Sequence, residues 1–542
     1  MSTPTLDSDT SDSAAKTHYT ARWSPRSLLR SPALYFVLRR LITSFFVLLG
    51  ATVLMYLLVV WSGDPRQNFE SYPTNVRENK IAAVTSALHL DQNVVVRYLG
   101  WLRGASGCFV PGVQCDLGKS IDNTEVTALL GNAISTTMRL VLLALALAVI
   151  LGVIVGILSA LRQYSGFDYT VTFASFLFFS LPIFWVAVLL KEFGAIKFNN
   201  WLASPTIPIW LSIVAGLLIG LLLAGMIGGS LRRRGIALGA TLIVTVALLQ
   251  YFSAVKWFAR PALGVGLILV LSVLAALAAT GLISGLKARP VLSSALISAV
   301  LGTIIGVALA PVLKNPAVGF LVILGIITVV VSFAIGWFVG GEEYRSQAVR
   351  AAVFTGLATG LLVLLDHVLS NFSRFSDKKF GRPIPTVGDS TPNFSGNIWQ
   401  HFLDLTTSLL LPTIALVLIS FASYTRYTRA SMLEVMNQDY IRTARAKGLT
   451  ERTVVMRHAF RNALIPLTTV VAYDFAAVLG GAVITENVFG WKGMGTLFIS
   501  GLKDVNPNVV MAFFLVTGTA AVLFNLLADL LYTALDPRIR LK

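Results

Sequence analysis

Cysteine is nearly absent, with two residues in 542. Two cysteines cannot build a disulfide scaffold. Histidine is scarce as well: His18, His89, His367, His401 and His458 are scattered, and none has zinc-ligand spacing. No Ser-His-Asp arrangement is legible. A phosphate-binding loop is missing too. Gly118-Lys119-Ser120 ends like one, but the glycine needed five residues earlier falls at Val113. The chain is therefore read as non-catalytic, with no metal and no cofactor. Charge is the last shortage. Charged residues make up 13% of the chain, against about 25% in an average soluble domain. With 55% hydrophobic residues, that excludes a soluble globular, a disordered or a collagen-like protein.

What is present is long apolar runs of ~20 residues, enough to cross a bilayer as helices. The expected fold is all-α, a polytopic membrane bundle embedded in lipid. Lys plus Arg exceed Asp plus Glu by 43 − 26 = 17. In a soluble protein that surplus would suggest nucleic acid; here it marks cytoplasmic loops. Twelve spans are readable, at about 41–61, 134–158, 171–194, 207–228, 236–255, 262–284, 291–312, 317–340, 350–369, 407–424, 463–484 and 509–531. Leu181-Pro182 should kink the third. Arg39 and Arg40 precede the first span, and the tail Asp536-Pro537-Arg538-Ile539-Arg540-Leu541-Lys542 is basic, so both termini are placed in the cytoplasm. The first apolar stretch is long enough to be a true span and has no signal-peptide cleavage site.

The chain divides by texture. Residues 1–33 are a Ser/Thr-rich tail that cannot bury enough apolar surface to order. Residues 34–204 hold three spans and a polar outer loop, 62–130. Residues 205–370 form an inserted six-helix bundle with short links. Its Arg232-Arg233-Arg234, Lys287 with Arg289, and Arg345 with Arg350 fall on alternate links, although Lys256 and Arg260 fall on the outer side. Gly216 with Gly220 and Gly281 with Gly285 offer close-packing faces. Residues 371–542 hold the last three spans and a charged loop, 425–461.

Cys108 and Cys115 share the first outer loop, among Gly107, Pro111 and Gly112. An oxidising compartment would allow a bridge there. Asp474 sits mid-span. Such a residue either lines a pathway or makes a buried structural hydrogen bond, and both readings stand.

The loop running from Tyr424 to Pro466 carries eight basic residues, Arg426, Arg429, Arg442, Arg445, Lys447, Arg452, Arg457 and Arg461, against Glu434, Asp439 and Glu451. Its composition favours short helices. Leu433, Met436, Tyr440 and Ala444 recur at helical spacing as one apolar stripe. Gly448 should end that helix, and a new one can begin at Thr450-Glu451. A basic loop can simply fix topology and touch anionic lipid. The stripe and the helix–glycine–helix pattern favour a docking surface for a protein.

This loop resembles the cytoplasmic EAA-type loop of ABC importer permeases, in the oligopeptide/dipeptide/nickel branch. The likeness rests on Arg429-Ala430-Ser431-Met432-Leu433-Glu434, on the run Asp439 to Leu449, on Arg457-His458-Ala459, and on Arg461-Asn462-Ala463-Leu464-Ile465-Pro466. Against the broad motif, Arg442 stands at the Glu position and Thr443 at the first Ala, while Ala444 is kept; the peptide branch is similar in this. Leu479-Gly480-Gly481-Ala482-Val483-Ile484-Thr485-Glu486-Asn487 resembles the family's outer gate segment. Lys492 stands where the family usually has Pro. Ser62-Gly63-Asp64-Pro65 and Asp116-Leu117-Gly118-Lys119-Ser120 resemble its first outer domain. The likeness covers roughly 35–200 and 385–542, but not the six spans between.

The resemblance implies a core of six spans paired with a homologous second permease subunit, two ATP-binding subunits and an extracytoplasmic substrate-binding protein. It implies peptide import across a prokaryotic cell membrane. It places Glu434, Asp439, Tyr440, Arg442, Thr443, Ala444, Lys447, Gly448, Arg457, His458, Arg461 and Asn462 at the ATPase-docking surface and Glu486 in the gate segment; Glu486 and, by its mid-span charge, Asp474 are the candidates for the translocation path. Nickel or another small solute is an alternative cargo. A twelve-span secondary transporter is the rival from another class, and the lack of an internal repeat counts against it.

Overall fold

A computed structural model describes residues 32–227 and 230–535; the side chains of 32–34, 476–477, 479–481 and 532–535 lie outside that description. The expected tail, 1–33, falls almost wholly outside the described residues, as does the basic tail 536–542.

The described chain is helical, with one isolated bridge, Lys119 to Glu125, and no strand. The first core part comprises α1 (Pro32–Ser62), two short helices in the polar loop, α2 (Thr74–Leu88) and α3 (Val94–Ser106), then α4 (Val126–Leu161), α5 (Gly166–Ser180) and α6 (Ile183–Leu189), which continues through a π-helical turn to Leu202. The middle part holds α7 (Ile209–Ile227), α8 (Leu231–Ala254), α9 (Gly264–Ile283), α10 (Arg289–Ala308), α11 (Val318–Val339) and α12 (Gly341–Lys378). The last part holds α13 (Ile398–Met436), α14 (Asp439–Ala446), α15 (Phe460–Phe489), α16 (Met494–Lys503) and α17 (Pro507–Leu535).

Ten described helices are long and apolar enough to cross a membrane, or eleven if α5 and α6 count as one bent span. The expected twelfth, about 463–484, falls on α15, which is not in that count and whose side chains are partly undescribed. At Leu181-Pro182 the expected kink is a 102° break. Leu181 takes extended backbone there, because the proline ring disfavours helix in the residue before it.

The most extensive helix contact joins α4 to α13. Ala144, Ala148, Gly152, Gly156 and Ala160 recur at every fourth position of α4 and are buried. A Cβ on Gly152 would stand 2.6 Å from the Tyr424 Cβ, and one on Gly156 2.7 Å from the Thr428 Cβ. Small residues let the two backbones approach, and van der Waals packing holds them without a hydrophobic drive inside lipid. Arg40 pairs with Asp529 at 3.1 Å, joining α1 to α17.

In the middle part, Gly216 and Gly220 pack on Leu242 and Leu238 of α8, as expected. Gly281 and Gly285 do not form a packing face. Gly281 meets only Leu286 of its own turn, and Gly285 is a left-handed turn residue with open space beside it. Close packing falls instead on Gly302 and Gly306 of α10, against Thr359 and Val363 of α12, and on Gly336 of α11, against Val349. The start of α13 is tied to the end of α12 and to the turn before α11. Lys379 and Asp404 pair at 2.7 Å with 9% and 7% of their side chains exposed. Trp399 Nε1 donates to the Leu313 carbonyl at 2.7 Å, and Asn397 Nδ2 to Asn371 Oδ1 at 2.9 Å.

The candidate docking surface and the buried carboxylates

The expected apolar stripe is not one helical stripe. α13 runs on to Met436, Asn437-Gln438 breaks it, and α14 restarts at Asp439 with Gln438 extended. Leu433 and Met436 therefore lie on the end of α13, and Tyr440 is 43% exposed on α14. The apolar side of α14 is Ile441 and Ala444. Both are buried against Met432, Val454, Val455, Ala459 and Ala463. That inward face belongs to the chain's own bundle. Periodicity read across Asn437 missed the break, although Asn is a weak helix former beside Leu and Met.

The outward side of the segment is charged and polar. Glu434, Asp439, Tyr440, Arg442, Thr443, Lys447, Gly448, Arg457, Arg461 and Asn462 are exposed and His458 is half-buried, whereas Ala444 is not exposed. Gly448 has φ +75, the left-handed conformation that ends a helix, as expected. Across its turn Arg445 Nη2 reaches Glu451 Oε1 at 2.7 Å and Arg445 Nε reaches Oε2 at 3.1 Å. The Arg445 guanidinium holds the Glu451 carboxyl below its ordinary range. After Glu451–Thr453 a π-helical stretch, Val454–Ala459, leads into α15. Asn462 Nδ2 donates to the Tyr440 hydroxyl at 2.9 Å, so the loop closes on the start of α15. Ser431 Oγ donates to the Ala463 carbonyl at 3.0 Å.

A second tie was not foreseen. Arg429 donates to both oxygens of Asp168, which also accepts from Ser159 Oγ and the Tyr164 amide. The signal in the sequence was weak: Asp168 follows Ser165, a helix cap, and reads as an ordinary first-turn acid.

Residues 352–541 match the family described as binding-protein-dependent transport system inner membrane component. The matched region resembles the permease subunits of ABC importers, and the relatives it resembles are named for oligopeptide and dipeptide transport. Among similar curated proteins, the oligopeptide transport system permease protein OppB of Mycobacterium tuberculosis is 43% identical over 154 residues, 28% of this chain and 47% of that protein. Oligopeptide permease AppB of Bacillus subtilis is 42% identical over 155 residues, 29% and 48%. Dipeptide permease DppB of Escherichia coli is 46% identical over 142 residues, 26% and 42%. The chain spans about half the length of the curated relatives it matches. The family match begins at 352, inside α12, so the last helix of the expected insertion lies partly within it. Family and apolar helices together make this a multi-pass protein of the prokaryotic plasma membrane.

Glu486, in the segment resembling the family's gate, is fully buried. Thr137 Oγ1 donates to its Oε1 at 2.6 Å, and the Gly495 and Thr496 amides donate to its Oε2 at 2.7 and 3.3 Å. The Met494 amide completes the cluster on Thr137 Oγ1 at 2.8 Å. The carboxylate thus caps the start of α16 from α15, where backbone N–H groups lack helical partners. Asp474 is half-buried beside the buried phenol of Tyr424 on α13. Cys108 and Cys115 are bonded to each other, with Cα atoms 4.3 Å apart.

Proposed function

We propose that the chain is a permease subunit of an ATP-driven peptide importer. It would form half of a pore with a homologous permease, dock two ATP-hydrolysing subunits and receive substrate from an extracytoplasmic binding protein. The observation that carries this reading is the two-sided build of α14. Its apolar side is anchored among Met432, Val454, Val455 and Ala463, while Asp439, Arg442, Thr443 and Lys447 face outward.

A partner gripping the outward side pushes on a helix that cannot slide over its own bundle. Close-packed interiors transmit such displacement. The push reaches α13 through Met432 and α15 through Ala463, and Arg429 carries it on to α5 through Asp168. ATP is bound by the partners and supplies the work. This chain's contribution is mechanical, and Asp474 is proposed to line the path.

The test is disulfide cross-linking in the assembled importer. Lys447→Cys should link to a cysteine placed on the ATPase subunit, whereas Ala444→Cys, on the buried side, should not. Peptide uptake that persists with no ATPase subunit bound would refute the reading.

A further inference from the structure

At the end of the bundle opposite α14, the chain leaving the first span meets the turn before the last. Between them lies a polar cavity of about 190 Å³, lined among others by Gly63, Asp64, Arg66, Arg97, Val505 and Pro507. Its two arginines differ. Arg66 is satisfied: its Nε reaches the two oxygens of Asp64 at 3.0 and 2.9 Å, and its Nη2 reaches Oδ2 at 2.8 Å. Arg97 forms no ion pair among the described residues, and its Nε is buried with no hydrogen-bond partner. A guanidinium stays charged in proteins, and a buried donor without an acceptor is costly. Two arginines and one aspartate leave one positive charge uncompensated around this space.

The wall opposite is unusual. Val505 has φ 51. The turn closing α16, with the Asn506 amide donating to the Gly501 carbonyl at 2.8 Å, puts its left-handed residue where glycine is usual. A β-branched residue there is a genuine outlier. Glycine would serve the turn, but it would leave no wall. The valine side chain stands against Gly63, where an added Cβ would meet Val505 Cγ2 at 3.3 Å. Strain of this kind gathers at binding sites.

We propose that this cavity binds a carboxylate on the guanidinium of Arg97. The planar fork of a guanidinium matches a carboxylate through two parallel hydrogen bonds. The cavity is smaller than the roughly 300–1,000 Å³ of pockets that hold whole drug-sized ligands. It fits a terminal group, such as a peptide C-terminus or an acidic side chain of a protein on that side. This proposal does not depend on the transport reading.

The test is calorimetric titration of the full-length chain in nanodiscs. N-acetyl-Ala-Ala with a free carboxylate should bind saturably, and its C-terminal amide should not. Arg97→Gln should weaken the acid at least tenfold. Arg97→Lys, which keeps the charge but not the fork, should lose less. Val505→Gly should raise the melting temperature and still weaken binding, which separates a lost wall from a folding defect. If Arg97→Gln does not accumulate, the lysine and glycine variants carry the test. N-acetyl-aspartic acid α-amide, whose one carboxylate is on the side chain, distinguishes the sources: comparable binding extends the site to acidic side chains, and its failure confines the site to chain ends. Equal binding of acid and amide, acid binding unchanged by Arg97→Gln, or tighter binding of inorganic phosphate would overturn the proposal.

Discussion

The guanidinium of Arg429 grips the carboxylate of Asp168 through both oxygens, Nε to Oδ1 at 2.7 Å and Nη2 to Oδ2 at 2.9 Å. The aspartate side chain is 3% exposed. The pair joins the last turns of α13 to the first turn of α5. Removing one partner of a buried pair leaves the other uncompensated and costs about 3–5 kcal/mol. Asp168→Asn should therefore lower the detergent-extracted melting temperature clearly, and Arg429→Lys should lower it less. In the assembled importer, the lysine variant should hydrolyse ATP with reduced peptide uptake, because it keeps charge but loses the two-point grip. Uptake and hydrolysis falling together would remove Arg429 from the coupling route.

The pair Arg445–Glu451 spans the Gly448 turn in the open, and its pH dependence has a definite sign. Glu451 has its pKa lowered by the hydrogen bond from Arg445. A depressed carboxylate stabilises the fold above its unfolded pKa, and that contribution disappears as pH falls through the folded value. The turn should thus be insensitive between pH 8 and 6 and loosen only in acid, below the ordinary value of 4.5. A spin label at Lys447 reads this: its spectrum should sharpen in acid and be already sharper at pH 7 in Glu451→Gln. High salt should blunt the difference, since exposed pairs are screened.

Span positions were legible because apolar runs of bilayer length have few other uses. The helix ends were not. α12 covers 38 residues and α13 covers 39, far more than the ~20 a bilayer requires. Their extensions are polar, and hydropathy alone does not see them. The docking segment was legible as a string but not as a surface. Ile441 went unnoticed, although with Ala444 it is the side that packs. Asp168 and Lys379 were invisible as partners because Arg429 and Asp404 lie 261 and 25 residues away. Long-range pairing leaves no local trace. The alanine–glycine ladder of α4 was present in the sequence, but the chosen glycine pairs lay elsewhere.

Asp474 separates two roles by experiment. Asp474→Asn keeps the shape and removes the charge. On the pathway reading, peptide uptake per assembled complex should fall several-fold while the amount of complex holds. On the structural reading, suggested by the neighbouring Tyr424, both should fall in proportion. Uptake measured against complex quantified from the same membranes distinguishes them.

Lys379 and Asp404 should behave as a clamp between the end of α12 and α13. Their atoms meet at 2.7 Å with little exposure, and Thr391 donates to the same carboxylate through its hydroxyl at 2.6 Å and its amide at 2.9 Å. Lys379→Met leaves the aspartate buried with only Thr391 for company, a loss of about 3–5 kcal/mol by analogy with other broken buried pairs. Removing both charges together, Lys379→Met with Asp404→Leu, should recover much of that loss, because the desolvation penalty goes with the pair. The Thr391 donors would then lack their acceptor, so recovery should be incomplete, by about 1–3 kcal/mol for one unsatisfied buried donor. Adding Thr391→Val removes the hydroxyl donor and should restore part of the difference. Thermal unfolding of the unsubstituted protein and the three variants in one detergent measures the series. A double variant no more stable than Lys379→Met would mean that the pair is not a clamp and that α12 is held to α13 by other contacts, such as Lys378 to Gln400 at 2.9 Å and Asn397 to Asn371 at 2.9 Å.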